Sequence, residues 1–259
     1  YKRQVYNGLF KLDFENLRIA SVLGRIGLAW SIAAVLYLNF GVKTRAAIAV
    51  AVLAGYGALS ALVAAPDAAG AGPLTFEGNL AGYIDRQFLP GKLIYGSFDP
   101  EGLLSTVPAV VTAMLGMFTG EFVRRGDIRG GRKTLWMAAA AAALLAAGLA
   151  FSGVLPVNKK LWSSTFVCVV GAYSLGMFAL FYYLIDVRGW RRWTLFFRVV
   201  GLNSITIYLA QRIVGFGRIS DFFLGGIASK CPEAVAAVIS SAGYVAVCWL
   251  FLYLSLIHI

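Results

Sequence analysis

The chain has 259 residues, of which 59% are hydrophobic and 14% charged, and its mean hydropathy is +0.76. Because about one-quarter of the residues in soluble domains are charged, this composition excludes an ordinary water-soluble fold and predicts an all-α, polytopic integral membrane bundle. The net charge of +11 comes from short clusters of Lys and Arg between apolar runs, a pattern typical of membrane-flanking loops and not of a nucleic-acid-binding face.

A helix needs about 20 mostly apolar residues to cross a bilayer. The chain contains several apolar stretches that reach or nearly reach this length. There are seven, at 19–40, 46–64, 103–122, 135–151, 161–185, 199–214 and 235–256. We treat residues 1–259 as a single membrane domain. Lys and Arg in short loops prefer the cytoplasm, so the basic loops at 124–133 and 186–192 place the 65–102 loop on the outer side.

The 65–102 loop, called the 65–102 segment below, mixes carboxylates, aromatic residues, Gly and Pro. Connections of this length are uncommon unless they are functional or disordered, and the apolar content favours an ordered one. Asp99 and Glu101 flank Pro100 directly before the third predicted span, where a helix N-terminus favours negative charge. Two interpretations stay open: a charged helix cap, or a pair of carboxylates at the mouth of a substrate site.

Arg18, Ser21 and Arg25 recur at helical spacing, which predicts one polar face at the start of the first span. Arg25 lies well inside the apolar run, and an intramembrane Arg costs about 2.5 to 3.5 kcal/mol on insertion scales. It therefore needs a partner. The alternatives are an ion pair with a carboxylate of the 65–102 segment, or contact with the phosphates of an anionic cofactor.

The sequence contains no nucleophile elbow, Walker loop or HExxH motif. Its three cysteines, Cys168, Cys231 and Cys248, have no partner at metal-binding spacing, so we predict no metal site. The single histidine, His258, is next to the last residue. From residues and spacing alone, the prediction stops at a polytopic membrane protein with a polar outer mouth.

Several sequence blocks, however, form an ordered pattern along the chain. They are 17–26 (LRIASVLGRI), 82–86 (GYIDR), 99–106 (DPEGLLST), 156–163 (PVNKKLWS), 186–189 (DVRG) and 201–208 (GLNSITIY). In order and rough spacing this pattern resembles the heparan-alpha-glucosaminide N-acetyltransferase family and its bacterial relatives.

This resemblance implies a transmembrane N- or O-acetyltransferase that moves an acetyl group from acetyl-CoA to an amino sugar or glycan acceptor, without a metal. It also implies that this is a C-terminal part of such a protein. The abundance of Ala favours a bacterial inner membrane, whereas the resemblance alone would also allow a lysosomal one. The family's histidine would then lie in helices upstream of Tyr1, so His258 receives no catalytic role and the chain alone is expected to be inactive.

The resemblance also suggests which residues line the shared cavity. These candidates are Arg25, Asp85, Asp99, Glu101, Asn158, Lys159 and Asn203. Arg25 is the one expected near the CoA phosphates. The expected partners are acetyl-CoA, a sugar or glycan acceptor and membrane lipids, with a homodimer left open and no nucleic acid.

Two other classes of function remain as alternatives. A transporter or flippase for a glycan or lipid-linked sugar would use the same polar mouths without making a bond, although no paired interrupted helices are visible in the sequence. A purely structural membrane subunit would leave Arg25 and the carboxylates as packing ion pairs.

Overall fold

The computed structural model describes residues 18–258, and within that range the chain forms ten α-helices and no strand. This confirms the predicted all-α bundle. The helices are α1 Val22–Asn39, α2 Val42–Leu62, α3 Leu80–Phe88, α4 Leu103–Arg124, α5 Gly130–Ala150, α6 Ser164–Tyr182, α7 Thr194–Leu202, α8 Ser204–Ala210, α9 Phe216–Ala228 and α10 Glu233–His258. A π-helical turn, Tyr183–Val187, extends α6.

Six of these helices in the described part of the chain are long and apolar enough to cross a membrane: α1, α2, α4, α5, α6 with its π-helical turn, and α10. The protein is therefore an integral membrane protein. Six of the seven predicted spans fall on these helices. The 65–102 segment, expected as a loop, contains the short helix α3, which Asn79 caps by accepting a hydrogen bond from the amide of Gly82 at 2.7 Å.

The predicted span 199–214 differs from the structure, because the chain breaks there into α7 and α8 at Asn203. The Nδ2 of Asn203 donates to the carbonyl oxygen of Val199 at 3.1 Å, a local side-chain bond that competes with helix continuation. At 1.5 Å per residue, α7 and α8 extend only about 14 Å and 10 Å, well short of a bilayer core of about 30 Å. The apolar composition of this stretch predicted its helical structure correctly but not its break.

The chain divides into two compact units, one up to Val187 and one from Arg188 onward. In the first unit, α4 packs against α1, α2 and α6. Its core contains small residues on α1 and α2 that let the helices approach closely, such as Ala33 and Ala49, against Val111 and Met114 of α4. In the second unit, α10 packs against α7, α8 and α9. A single membrane domain across 1–259 stays a prediction.

Candidate functional site

An arginine and two carboxylates meet directly before α4. Arg18 donates from Nε to Oδ2 of Asp99 at 2.7 Å and from Nη2 to Oδ1 of Asp99 at 2.6 Å, and its Nη2 also binds the carboxylate of Glu101. We call these three residues the clamp. Bidentate Arg–carboxylate pairs are among the stronger hydrogen-bonded contacts in proteins, so the clamp fixes residues 99–101 to the chain that leads into α1.

Arg18 lies outside α1, so the prediction that Arg18, Ser21 and Arg25 share one helical face is wrong. The reason is local. The hydroxyl of Ser21 accepts a hydrogen bond from the amide of Gly24 at 3.1 Å, which caps the helix and starts it at Val22. Arg18 instead forms an isolated antiparallel bridge with Gly91 of the 65–102 segment, and this bridge directs its side chain toward the carboxylates.

Asp99 is buried, and both oxygen atoms of its carboxylate accept hydrogen bonds. Besides Arg18, the amides of Ile94 and Glu101 donate to its carboxylate, at 3.3 Å and 3.0 Å. Burial raises the pKa of Asp99, but the hydrogen bonds from Arg18 and Glu101 outweigh it and leave this pKa below its usual value. The same contacts, led by the hydrogen bond to Asp99, raise the pKa of Arg18. The hydrogen bonds from Arg18 and the two amides therefore favour the ionised form of Asp99.

Asp85 of α3 holds the same region from the opposite side. Its side chain is fully buried and accepts hydrogen bonds from the amides of Asp99 at 3.2 Å and of Leu103 at 3.0 Å, so it caps the start of α4. Gly102 fits against it, since a Cβ there would overlap the carboxylate. Burial raises the pKa of Asp85 to about 6, with the amide of Asp99 opposing. The GYIDR block thus contributes a helix-capping anion from a neighbouring element.

Arg25 lies on α1 and reaches the backbone of the same turn. Its Nη1 donates to the carbonyl oxygen of Pro100 at 2.6 Å, its Nη2 donates to that of Ser105, and its guanidinium stacks 4.2 Å from the ring centre of Trp162. The expected ion pair with a carboxylate is therefore wrong, because Arg18 occupies the clamp carboxylates and Asp85 accepts from backbone amides. Contact of Arg25 with CoA phosphates stays a prediction.

Trp162 connects this arrangement to α6. Its backbone has φ of 53°, in the left-handed region that non-glycine residues rarely adopt. In this conformation its ring stacks on Arg25 while its Nε1 donates to the hydroxyl of Thr112 on α4 at 3.2 Å. One indole ring thus joins the first turn of α1, the middle of α4 and the turn that leads into α6. Trp162 could not be predicted for this role from sequence, because a Trp at a helix start normally indicates an interface anchor.

The turn at 156–163 presents its lysines differently from the prediction. The side chain of Asn158 accepts hydrogen bonds from the amides of Lys160 at 2.9 Å and Leu161 at 3.4 Å, which makes it a turn-forming residue. Lys159 is exposed. It is Lys160 that points back at the 65–102 segment, with Nζ 4.4 Å from the ring centre of Tyr95.

An apolar groove of about 840 Å³ lies between α4, α5 and α6 in the first unit. It begins at Thr112, the partner of Trp162, and follows α4 past Gly116 and Gly120. No charged side chain lines it, so it suits an apolar chain and not a phosphate. Among the described residues, no group of three or more His, Cys, Asp or Glu could hold a metal ion.

The structure thus brings four predicted site residues, Arg25, Asp85, Asp99 and Glu101, to the start of α4. Asn158 lies in the turn before α6, next to Leu161, which packs against Phe98 of the 65–102 segment. Asn203 belongs to the second unit, and its grouping with the others stays a prediction. Arg18 was missed as a site residue, although two carboxylates flanking one proline are a signal for a nearby cation.

Comparison with known proteins identifies two relatives. One is heparan-alpha-glucosaminide N-acetyltransferase from Homo sapiens, 31% identical over 157 aligned residues that cover 52% of this chain and 23% of the human protein. The other carries the same name in Mus musculus and is 30% identical over 155 residues, covering 53% of this chain and 24% of the mouse protein. No family model matches the chain.

These matches support membership in the heparan-alpha-glucosaminide N-acetyltransferase family. They confirm the predicted resemblance to this family. The chain spans only 23% to 24% of the length of these curated relatives.

Proposed function

We propose that the chain forms part of a membrane-bound transferase that moves an acetyl group from acetyl-CoA to an amino sugar or glycan acceptor. The observation that carries this proposal is the clamp, set among Asp85 and Arg25 at the point where three membrane helices begin. The names of the two relatives support the reaction class. We place the 65–102 segment on the outer side of a bacterial inner membrane.

Within the clamp, the residues have different opportunities to contact a substrate. Asp99 is buried and its carboxylate is fully hydrogen-bonded, whereas the side chain of Glu101 is 17% exposed. An amino-sugar acceptor carries an ammonium group before it reacts, and a carboxylate at the mouth is the complementary partner. We assign Glu101 to acceptor binding and Arg18 to holding Glu101 in place. Removal of the acceptor's proton needs a base, and no residue of the clamp takes that role.

The test is transfer of labelled acetyl from acetyl-CoA to a glucosamine-terminated acceptor, measured on membranes that contain the intact protein. Glu101→Gln should raise KM for the acceptor and leave KM for acetyl-CoA nearly unchanged. Glu77→Gln is the matched control, because Glu77 is an exposed carboxylate of the same segment and contributes nothing to the clamp. Absence of transfer in these membranes would refute the proposed reaction, and equal behaviour of the two variants would refute the role of Glu101.

Transport of a glycan or lipid-linked sugar is the second candidate, and one observation favours it. The break between α7 and α8 at Asn203 is an interrupted helix, which transporters use to bind substrate within the membrane. A transporter would move an unmodified glycan across sealed vesicles in the absence of acetyl-CoA. A transferase would give no such movement and would release free CoA in proportion to the acetylated product.

A further inference from the structure

The second unit opens with a segment of unusual composition, residues 188–198. It contains four arginines and four aromatic residues and no acid. They are Arg188, Trp190, Arg191, Arg192, Trp193, Phe196, Phe197 and Arg198. In all of 188–258 the only carboxylate side chains are those of Asp221 and Glu233, so the second unit is strongly basic and its charge is concentrated at one end of the sequence. The proposed transferase does not account for this segment.

The aromatic rings of the 188–198 segment form a continuous series. The ring centres of Trp190 and Trp193 are 6.3 Å apart, those of Trp193 and Phe197 are 5.7 Å apart, and those of Phe197 and Phe196 are 5.4 Å apart. Trp190 and Phe197 are nevertheless 60% and 58% exposed. Water-exposed aromatic rings of this number are costly unless another phase covers them.

A membrane-length helix fixes the position of these rings. Phe196 stacks on Trp249 of α10 with ring centres 5.9 Å apart and planes within 5°, and Nε1 of Trp249 donates to the carbonyl oxygen of Phe196 at 3.2 Å. Trp249 stacks in turn on Tyr253 at 5.1 Å. Clusters of Trp and Tyr at one end of a spanning helix mark the level of the lipid headgroups.

The arginines flank Phe196 in the sequence, and Phe196 contacts α10 at Trp249. Glu233 begins α10 and lies about 24 Å along the helix axis from Trp249. Four arginines on a short segment beside a spanning helix attract anionic lipid, and the planar guanidinium matches phosphate oxygens in a bidentate fork.

We propose that the 188–198 segment lies in the headgroup layer and forms a binding surface for anionic phospholipids. The aromatic rings enter the acyl boundary while the arginines bind the phosphates above it. This surface concerns the second unit alone, so it stands or falls independently of the acetyltransferase proposal.

The test uses the tryptophans of the segment as reporters in vesicles. Trp30 and Trp136, exposed on α1 and α5, are replaced by Phe, which leaves Trp190, Trp193 and Trp249 as the indoles of the second unit and retains Trp162 in every variant. Fluorescence quenching is then compared between vesicles doped with brominated phosphatidylglycerol and vesicles doped equally with brominated phosphatidylcholine. We expect the anionic lipid to quench more efficiently, by about twofold, and we expect high salt to remove the excess.

Neutralising the segment should also remove this excess. The variant with Arg188, Arg191, Arg192 and Arg198 all changed to Gln should show equal quenching by the two lipids, and a fourfold Arg→Lys variant should retain part of the difference. Quenching by the zwitterionic lipid checks that the segment still reaches the bilayer. The matched control changes Arg124, Arg125, Arg129 and Arg132 of the first unit to Gln and should leave the excess intact.

Three results would overturn the proposal, and two of them need no variant. Equal quenching by the two lipids in the protein with all its arginines would show that no anionic lipid gathers at the segment. An excess that persists at high salt or in the fourfold Gln variant would assign it to something other than these arginines.

Discussion

Two arginine–aspartate pairs with nearly the same geometry allow burial to be tested as the source of stability. Arg18 and Asp99 are joined by bonds of 2.7 Å and 2.6 Å, and Arg86 and Asp67 by bonds of 2.8 Å and 2.6 Å. The arginine side chains are both 23% exposed. The aspartates differ, since the side chain of Asp99 is 0% exposed and that of Asp67 is 36% exposed.

We expect Arg18→Met to destabilise the protein by about 2 to 3 kcal/mol. Removing one partner of a buried ion pair costs about 3 to 5 kcal/mol because the remaining charge is left without compensation. The amides of Ile94 and Glu101 continue to donate to Asp99, and this lowers the expected cost. Arg86→Met leaves Asp67 in water and removes one hydrogen bond to the carbonyl oxygen of Ser97, so the change there should be about 1 kcal/mol.

The assay is unfolding in mixed micelles, applied to a double-mutant cycle for each pair, with Asp→Asn as the second change. The cycle for Arg18 and Asp99 should give a coupling free energy of about 2 kcal/mol, and the cycle for Arg86 and Asp67 should give a value within the error. Equal coupling in the two cycles would refute the reasoning, because it would show that hydrogen-bond geometry and not burial sets the strength of these pairs.

Two further predictions concern the cap on α4. The folded pKa of Asp85, about 6, lies above its unfolded value. Its contribution to stability is therefore full below the unfolded pKa and is lost as pH rises through about 6, so Tm should fall with pH over this range. Thermal melts of Asp85→Asn between pH 4 and pH 7, about the range of these pKa values, should lack this fall in Tm. A slope unchanged in the variant would assign the pH dependence to another group. Gly102→Ala should lower Tm because the added Cβ overlaps the Asp85 carboxylate. Gly116→Ala is the control: its Cβ meets open space within α4, so Tm should stay the same or rise. Equal melting of the two variants would contradict the close approach of Gly102 to the Asp85 carboxylate.

The membrane helices were predictable because hydrocarbon thickness sets a minimum apolar length, and composition reports that length directly. The break at Asn203 could not be predicted, because a single Asn in an apolar run is compatible with a continuous helix as well as with a break. Whether its Nδ2 bonds to the preceding turn depends on packing in the second unit. Hydropathy alone therefore predicted one continuous helix at 199–214, where the structure has two short helices.

The location of the candidate site could be predicted from the sequence, but the partners of its arginines could not. The cost of an intramembrane Arg25 correctly indicated a partner near the 65–102 segment, and helix polarity correctly indicated anions before α4. The partners themselves depend on where α1 begins, which Ser21 decides by capping. Arg18 is thereby freed from the helix to bind Asp99, and Arg25 is left to bind carbonyl oxygens.

The bond between Arg25 and α4 bears on how the protein enters its membrane. The carbonyl oxygens of Pro100 and Ser105 follow Arg25 by 75 and 80 residues, so they leave the ribosome long after α1 does. Until then α1 carries an uncompensated guanidinium, with an insertion penalty of about 2.5 to 3.5 kcal/mol. The guanidinium of the first described span therefore gains these partners only after the start of α4 has been synthesised.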